Sequence, residues 1–63
     1  MVSINIHNVK KIEVGEINEF VSENKLFYCR ELIITDEKTG YKFRIDLYND
    51  VRDKLLIEGD DEQ

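Results

Sequence analysis

Two residues carry side chains that often act as a nucleophile, a base or a metal ligand: His7 and Cys29, the single histidine and the single cysteine. A catalytic histidine needs an orienting partner and a nucleophile close by, and no neighbour of His7 in the sequence supplies either. Cys29 lies within an apolar run, whereas a reactive thiolate is favoured by a helix N-terminus or by nearby positive charge. The distance between the two along the chain matches no zinc motif. We therefore expect no enzyme activity, no metal site and no cofactor.

A second group of side chains combines aromatic rings with positive charges on two segments that we predict to be neighbouring strands. If the two strands present them on one side, bases could stack on the rings while the cations hold phosphates, as in single-strand-binding proteins. Tyrosine and arginine are also enriched in protein–protein interfaces. We predict a partner-binding face formed by five residues: Tyr28, Arg30, Lys42, Arg44 and Tyr48.

The charge distribution favours a protein partner over a nucleic acid for this face. The chain has 14 acidic and 9 basic residues, and its net charge is -5. Three of the acids, Asp60, Asp61 and Glu62, lie at the end, so residues 1–59 are nearly balanced. A chain without net positive charge lacks the main source of general nucleic-acid affinity and of attraction to acidic membranes. Acidic residues at every third position, Glu13, Glu16 and Glu19, would also allow a surface that mimics DNA.

The elements that must position these residues are predicted to be strands, because apolar and polar residues alternate. Residues 2–7 and 12–14 show this alternation, with a bulge or bend between them that brings Val9 back into phase. Residues 26–35 carry apolar side chains at both even and odd positions, and therefore on both faces of a strand, which is typical of a central strand covered on both sides. Residues 36–40 form a hairpin loop that contains Gly40. In residues 41–48 one alternation should face the core: Tyr41, Phe43, Ile45 and Leu47.

Two segments leave helix and strand open. Ile17, Phe20 and Val21 have helical spacing, yet Ile17 and Val21 would also share one face of a strand. The short length and the flanking strands favour a strand for residues 16–23, followed by a polar turn. Residues 49–53 are predicted to be a loop or a capped helical turn that begins at Asn49. Residues 54–58 are predicted to be a last short strand, and a helix over residues 50–58 is the alternative.

These elements predict an all-β fold: a small antiparallel meander of four to five strands, curled into a barrel or a sandwich, with room for one short helical turn. We expect one domain over residues 1–59 and an acidic C-terminal tail over residues 60–63. No apolar stretch is long enough to span a membrane, and the start lacks the pattern of a signal peptide. A single cysteine in so short a chain is typical of a reducing compartment, so we expect a cytoplasmic protein.

Three segments resemble small uncharacterised proteins encoded by tailed phages and prophages: SINIHNVKKIEV (residues 3–14), FYCRELIITDE (residues 27–37) and GYKFRIDL (residues 40–47). The resemblance implies a bacterial cytoplasm and an accessory protein that contacts host or phage machinery. It carries over no catalytic or binding residue. The sequence thus predicts a non-enzymatic module that binds another protein or its own copy, with a single-stranded nucleic acid as the alternative ligand.

Overall fold

The chain forms one antiparallel β-sheet of four strands with a short 3₁₀ helix, in a computed structural model that describes residues 1–57 and 59. The strands are β1 (Val9–Val14), β2 (Asn18–Ser22), β3 (Lys25–Asp36) and β4 (Lys42–Asn49), and the 3₁₀ helix is Arg52–Leu55. The predicted all-β class is confirmed. The pairings of these four strands do not close into a barrel. The predicted acidic tail, residues 60–63, lies outside the described residues.

Strand β3 is the centre of the sheet, as predicted from its apolar run. β4 pairs with one edge of β3, from Tyr28↔Asn49 to Thr35↔Lys42. β1 and β2 lie end to end along the other edge, β2 beside the first half of β3 and β1 beside the second half. Successive hairpins thus join β2, β3 and β4, whereas β1 pairs with β3. Within the described residues, no helix is long and apolar enough to cross a membrane.

Both hairpin turns have residues suited to their backbone geometry. Glu23 and Asn24 connect β2 to β3 with positive φ angles of 50° and 63°, which a two-residue turn of this hand requires. This tight turn is why residues 18–22 form a strand. In the loop between β3 and β4, the Asp36 Oδ1 atom accepts hydrogen bonds from the amides of Lys38 (2.7 Å) and Thr39 (3.1 Å). Gly40 then takes a φ of 78°, as its predicted role requires.

The first predicted strand, residues 2–7, is wrong. β1 begins at Val9, which lies opposite Asp36, the last residue of β3. The Asn8 carbonyl still accepts a hydrogen bond of 2.8 Å from the Glu37 amide, but residues 2–7 extend past the end of β3. Asn8 turns the chain at that point with a φ of 59°. The predicted bulge is confirmed, since the pairing with β3 shifts between Val9 and Lys11.

The last predicted strand, residues 54–58, is also wrong over the described residues, since the 3₁₀ helix Arg52–Leu55 occupies this region. Asn49 makes a turn, as predicted, but it does not cap the 3₁₀ helix, whose N-cap is Val51 without a side-chain hydrogen bond. The Asn49 Oδ1 atom accepts a hydrogen bond of 2.8 Å from the Val51 amide, which bends the chain away from the direction of β4. The helix then packs against β3 and β4. Its Leu55 side chain is buried instead of joining the sheet.

The pairing defines two faces of the sheet, because residues directly opposite each other in an antiparallel pair share a face. The first, which we call the apolar face, carries the even-numbered residues of β3, and its rows across β1, β3 and β4 include Ile12–Ile34–Phe43 and Val14–Leu32–Ile45. The second, which we call the charged face, carries the odd-numbered residues of β3 with Lys42, Arg44, Asp46 and Tyr48. The predicted division of β4 into two alternating sets is thus confirmed.

The interior of this sheet is small. Among the described residues, only Leu55 and Arg30 are buried. The 3₁₀ helix covers the part of the apolar face around Arg30, whose guanidinium binds the Leu55 carbonyl. Most of β3 is only half-buried, and neither face is covered by a second sheet in the described chain. The expectation that β3 is covered on both sides is therefore not met within a single chain.

Candidate interaction surface

The five residues predicted to form one binding face lie on opposite sides of the sheet. Tyr28 and Arg30 pair with Asn49 and Leu47, which places them on the apolar face. The other three residues, Lys42, Arg44 and Tyr48, pair with odd-numbered residues of β3 and lie on the charged face. The predicted binding face required a hairpin pairing that places all five residues on one side of the sheet. The observed pairing does not bring them together.

Arg30 is an internal residue, 7% exposed, and it links two parts of the fold. Its Nε atom donates a hydrogen bond of 2.9 Å to the carbonyl of Gly15, between β1 and β2. Its Nη1 atom donates another of 2.9 Å to the carbonyl of Leu55, at the end of the 3₁₀ helix. The guanidinium thus satisfies backbone acceptors at two irregular places, where the sheet itself provides no partner. Arg30 therefore has a structural place in the fold and is not available on the surface.

Arg44 is exposed, but acidic side chains surround its guanidinium. The Nε atom lies 3.4 Å from Asp46 Oδ2 and 3.8 Å from Glu31 Oε2. On β1, Lys11 lies 3.6 Å from Glu13 on the same face. This face therefore carries charges of both signs in local pairs. Such a surface does not present the continuous positive strip that follows a phosphate backbone.

Aromatic rings meet at one end of the charged face. Phe20 and Phe27 are stacked with ring centroids 5.5 Å apart, and Phe27 and Tyr48 lie 6.1 Å apart in a tilted arrangement. These three rings come from β2, β3 and β4, which the pairing brings side by side. Cross-strand aromatic pairs of this kind stabilise a sheet modestly. The cluster therefore joins β2 to the other strands.

The hydroxyl of Tyr48 has a raised pKa, because it forms a side-chain hydrogen bond with Cys29 on the opposite strand. Electrostatic repulsion from Cys29 and Asp46 adds to this effect, while Arg44 lowers the pKa. A raised phenol pKa means that the folded chain holds this proton more tightly than the unfolded chain. The resulting contribution to stability is complete below the ordinary pKa of 10.0 and is lost as the pH rises through the raised value.

Replacing Cys29 with alanine is expected to lower the pKa of Tyr48, because it removes the main cause of the shift. The measurement is an alkaline titration of phenolate absorbance. The variant Tyr48→Phe identifies which part of the titration belongs to Tyr48. If the titration of Tyr48 in Cys29→Ala were the same as in the wild type, the hydrogen bond would not be the cause of the shift.

His7 and Cys29 lie apart from each other in the fold. His7 belongs to the exposed segment before β1, and Cys29 is half-buried on the charged face of β3, where it faces Tyr48. Within residues 1–57 and 59, no group of three or more histidine, cysteine, aspartate or glutamate residues could hold a metal ion. The acidic residues Glu13 and Glu19 lie opposite Ile33 and Tyr28, on different faces of the sheet. They do not form the single acidic row of a DNA mimic.

The surface that the sequence analysis missed is an exposed part of the apolar face, which we call the apolar patch. Its exposed members are Val9, Ile12, Val14, Tyr41 and Phe43. Ile12 and Phe43 lie on either side of Ile34, and Val14 and Ile45 lie on either side of Leu32. The two complete rows contain no charged residue, whereas Asp36 lies between Val9 and Tyr41 at one end of the patch. The signal in the sequence was the alternation itself: it marked Tyr41 and Phe43 as core residues, and nothing else in the described chain covers them.

Contiguous apolar surfaces that a small protein leaves exposed are typical of interaction sites. The patch contains no nucleophile, no base and no metal ligand, so the chemistry that it offers is burial of apolar area. No family model, no curated protein and no solved structure matches this chain.

Proposed function

We propose that this protein is a non-enzymatic interaction module that binds a protein through the apolar patch. The observation that carries the proposal is the pair of uncharged rows, Ile12–Ile34–Phe43 and Val14–Leu32–Ile45, with their outer members exposed. Burial of apolar area is the main favourable term in protein association. A protein surface with its own apolar residues is the ligand that such a patch accepts.

We also propose that the partner is a host or phage protein, because three segments of the sequence resemble phage and prophage proteins. A single-stranded nucleic acid has weaker support, because the five residues that would bind it are divided between two faces. Arg44 is also engaged by Asp46 and Glu31. Binding of a nucleic acid is therefore an outcome that the experiment below must exclude.

Two matched variants test the proposal. Ile12, on the apolar patch, and Tyr48, on the charged face, are both 63% exposed, so a lysine at either position should be tolerated by the sheet. Tyr48→Lys also removes the ring contact with Phe27, so circular dichroism must show that its strands are retained. We expect tagged wild-type protein and tagged Tyr48→Lys to capture the same protein from a bacterial lysate in affinity purification, whether that protein is a host protein or an untagged, co-expressed copy of this chain. Ile12→Lys should lose it, because a lysine would have to be buried without a partner.

Two results would contradict this function. The first is capture that Ile12→Lys leaves unchanged, since binding would then not involve the apolar patch. The second is binding of a labelled single-stranded oligonucleotide that weakens steeply with salt and is reduced in Arg44→Ala. That result would favour the nucleic-acid alternative.

A further inference from the structure

We infer that the occupant of the apolar patch is a second copy of this chain, packed face to face so that two sheets form a sandwich. The inference rests on the proposed function, because it names the partner of the same surface. Three observations support it: the area that the single chain leaves exposed, the absence of charge in the two central rows, and the residue pattern of β3.

The first observation is the exposed area. The chain exposes 5646 Å², whereas a compact monomer of this mass exposes about 4,200 Å², so the excess is about 1,400 Å². This area includes the exposed segment before β1 and the residues outside the described part of the chain, so only part of the excess belongs to the sheet. A stable interface buries about 800 Å² on each partner. The excess is larger than the area that one such interface needs on each chain, so an interface of ordinary size is compatible with it.

The second observation is that the two central rows are uncharged, while the opposite face holds paired charges on Lys11, Glu13, Glu31, Arg44 and Asp46. In a symmetric dimer each patch meets an identical patch. The uncharged rows of two patches can be buried against each other without an unpaired charge, whose burial is costly. Asp36 lies at the end of the patch, where the amides of Lys38 and Thr39 donate hydrogen bonds to its carboxylate. A strongly charged partner would gain nothing from these rows. The patch is thus suited to its own copy.

The third observation concerns β3, which carries large apolar residues on both alternations. Such a pattern is typical of a strand that is covered on both sides. In one chain the 3₁₀ helix covers the apolar face only around Arg30, and the rows of Leu32 and Ile34 continue beyond it. A second sheet at the usual distance of about 10 Å would cover those rows, while the odd-numbered residues of β3 would remain on the charged face. Each 3₁₀ helix would then flank the contact at one end.

Sedimentation equilibrium of the purified full-length chain tests the inference, over concentrations from about 1 μM to about 500 μM. We expect a mass twice the 7.5 kDa of one chain. Because a symmetric interface contains each substitution twice, Ile12→Lys should weaken the dimer at least about a hundredfold. Tyr41→Lys, a second exposed position on the patch, should weaken it in the same direction. Tyr48→Lys, at matched exposure on the opposite face, should leave it unchanged.

A monomer throughout this concentration range would overturn the inference. Dimers of Ile12→Lys and Tyr41→Lys as tight as the wild type would overturn it as well, and so would equal weakening by Tyr48→Lys. Circular dichroism of each variant checks that the strands are retained. If the chain is monomeric but still captures another protein through Ile12, the second-copy inference fails and the proposed function stands. If neither association depends on Ile12, both fail.

Discussion

Replacing Arg30 with methionine is expected to lower the free energy of unfolding by about 2 to 4 kcal/mol. Methionine fills a similar volume but leaves the carbonyls of Gly15 and Leu55 without the donors that now lie 2.9 Å away. Both carbonyls belong to irregular segments, so no strand partner replaces the lost donor. The junction of β1 with β2 and the 3₁₀ helix should therefore loosen together. Urea unfolding at one fixed protein concentration measures the change.

The matched control is Arg44→Met. Arg44 also contacts two oxygen atoms, but its side chain is largely exposed, and its partners are carboxylates at 3.4 Å and 3.8 Å. Ion pairs in this setting contribute between about 0 and 1 kcal/mol. Arg30→Met should therefore be clearly more destabilising than Arg44→Met. Equal losses of stability would contradict the internal role of Arg30.

Truncation of Leu55 to alanine is the second substitution with a large expected effect, about 2 to 4 kcal/mol of unfolding free energy. Leu55 is the one apolar residue of the described chain that is buried, at 6% exposure. It attaches the 3₁₀ helix to β3 and β4. The truncation would leave a cavity at this position and would remove the apolar contact that, together with the Arg30 hydrogen bond, holds the 3₁₀ helix against the sheet. We expect the thermal midpoint and the urea midpoint to fall together.

Leu26→Ala is the control for this prediction, because it makes the same chemical change at a residue of β3 that is 45% exposed. Leu26→Ala removes less buried apolar area than Leu55→Ala and leaves no closed cavity. The free energy of unfolding should therefore fall by less than about 1 kcal/mol. If Leu26→Ala destabilised the chain as much as Leu55→Ala, the interior would not lie beneath the 3₁₀ helix.

The central hairpin could be predicted from the sequence because its determinants are local. The alternation of residues 41–48 identifies two faces of β4, and the polar run before Gly40 identifies the loop. The apolar run of β3 identifies the centre of the sheet. Each of these signals is contained within a few residues, and the pairing from Tyr28↔Asn49 to Thr35↔Lys42 follows from a short loop.

The errors arose where distant parts of the chain decide the structure. Residues 2–7 alternate like a strand, but Val9 already lies opposite the end of β3, so no partner remains for them. Leu55 looks like a strand residue until the Asn49 turn directs it over the sheet. Arg30 looks like a surface cation, because its acceptors come from Gly15 and Leu55, far away in the sequence. Its position between Tyr28 and Leu32, the neighbouring residues on the same face of β3, is the signal that could have indicated its internal role.

The division of one sheet edge between β1 and β2 has a consequence for unwanted self-assembly. An unpaired strand edge is a template on which fibrils can grow, and long flat edges are the most hazardous. Here the twelve-residue β3 is flanked on one side by pieces of six and five residues, and the first of these also contains a bulge. The chain thus presents no long continuous template there, and on the other side β4 carries Lys42, Arg44 and Asp46. Amyloid growth is disfavoured at both edges by short strands and charge.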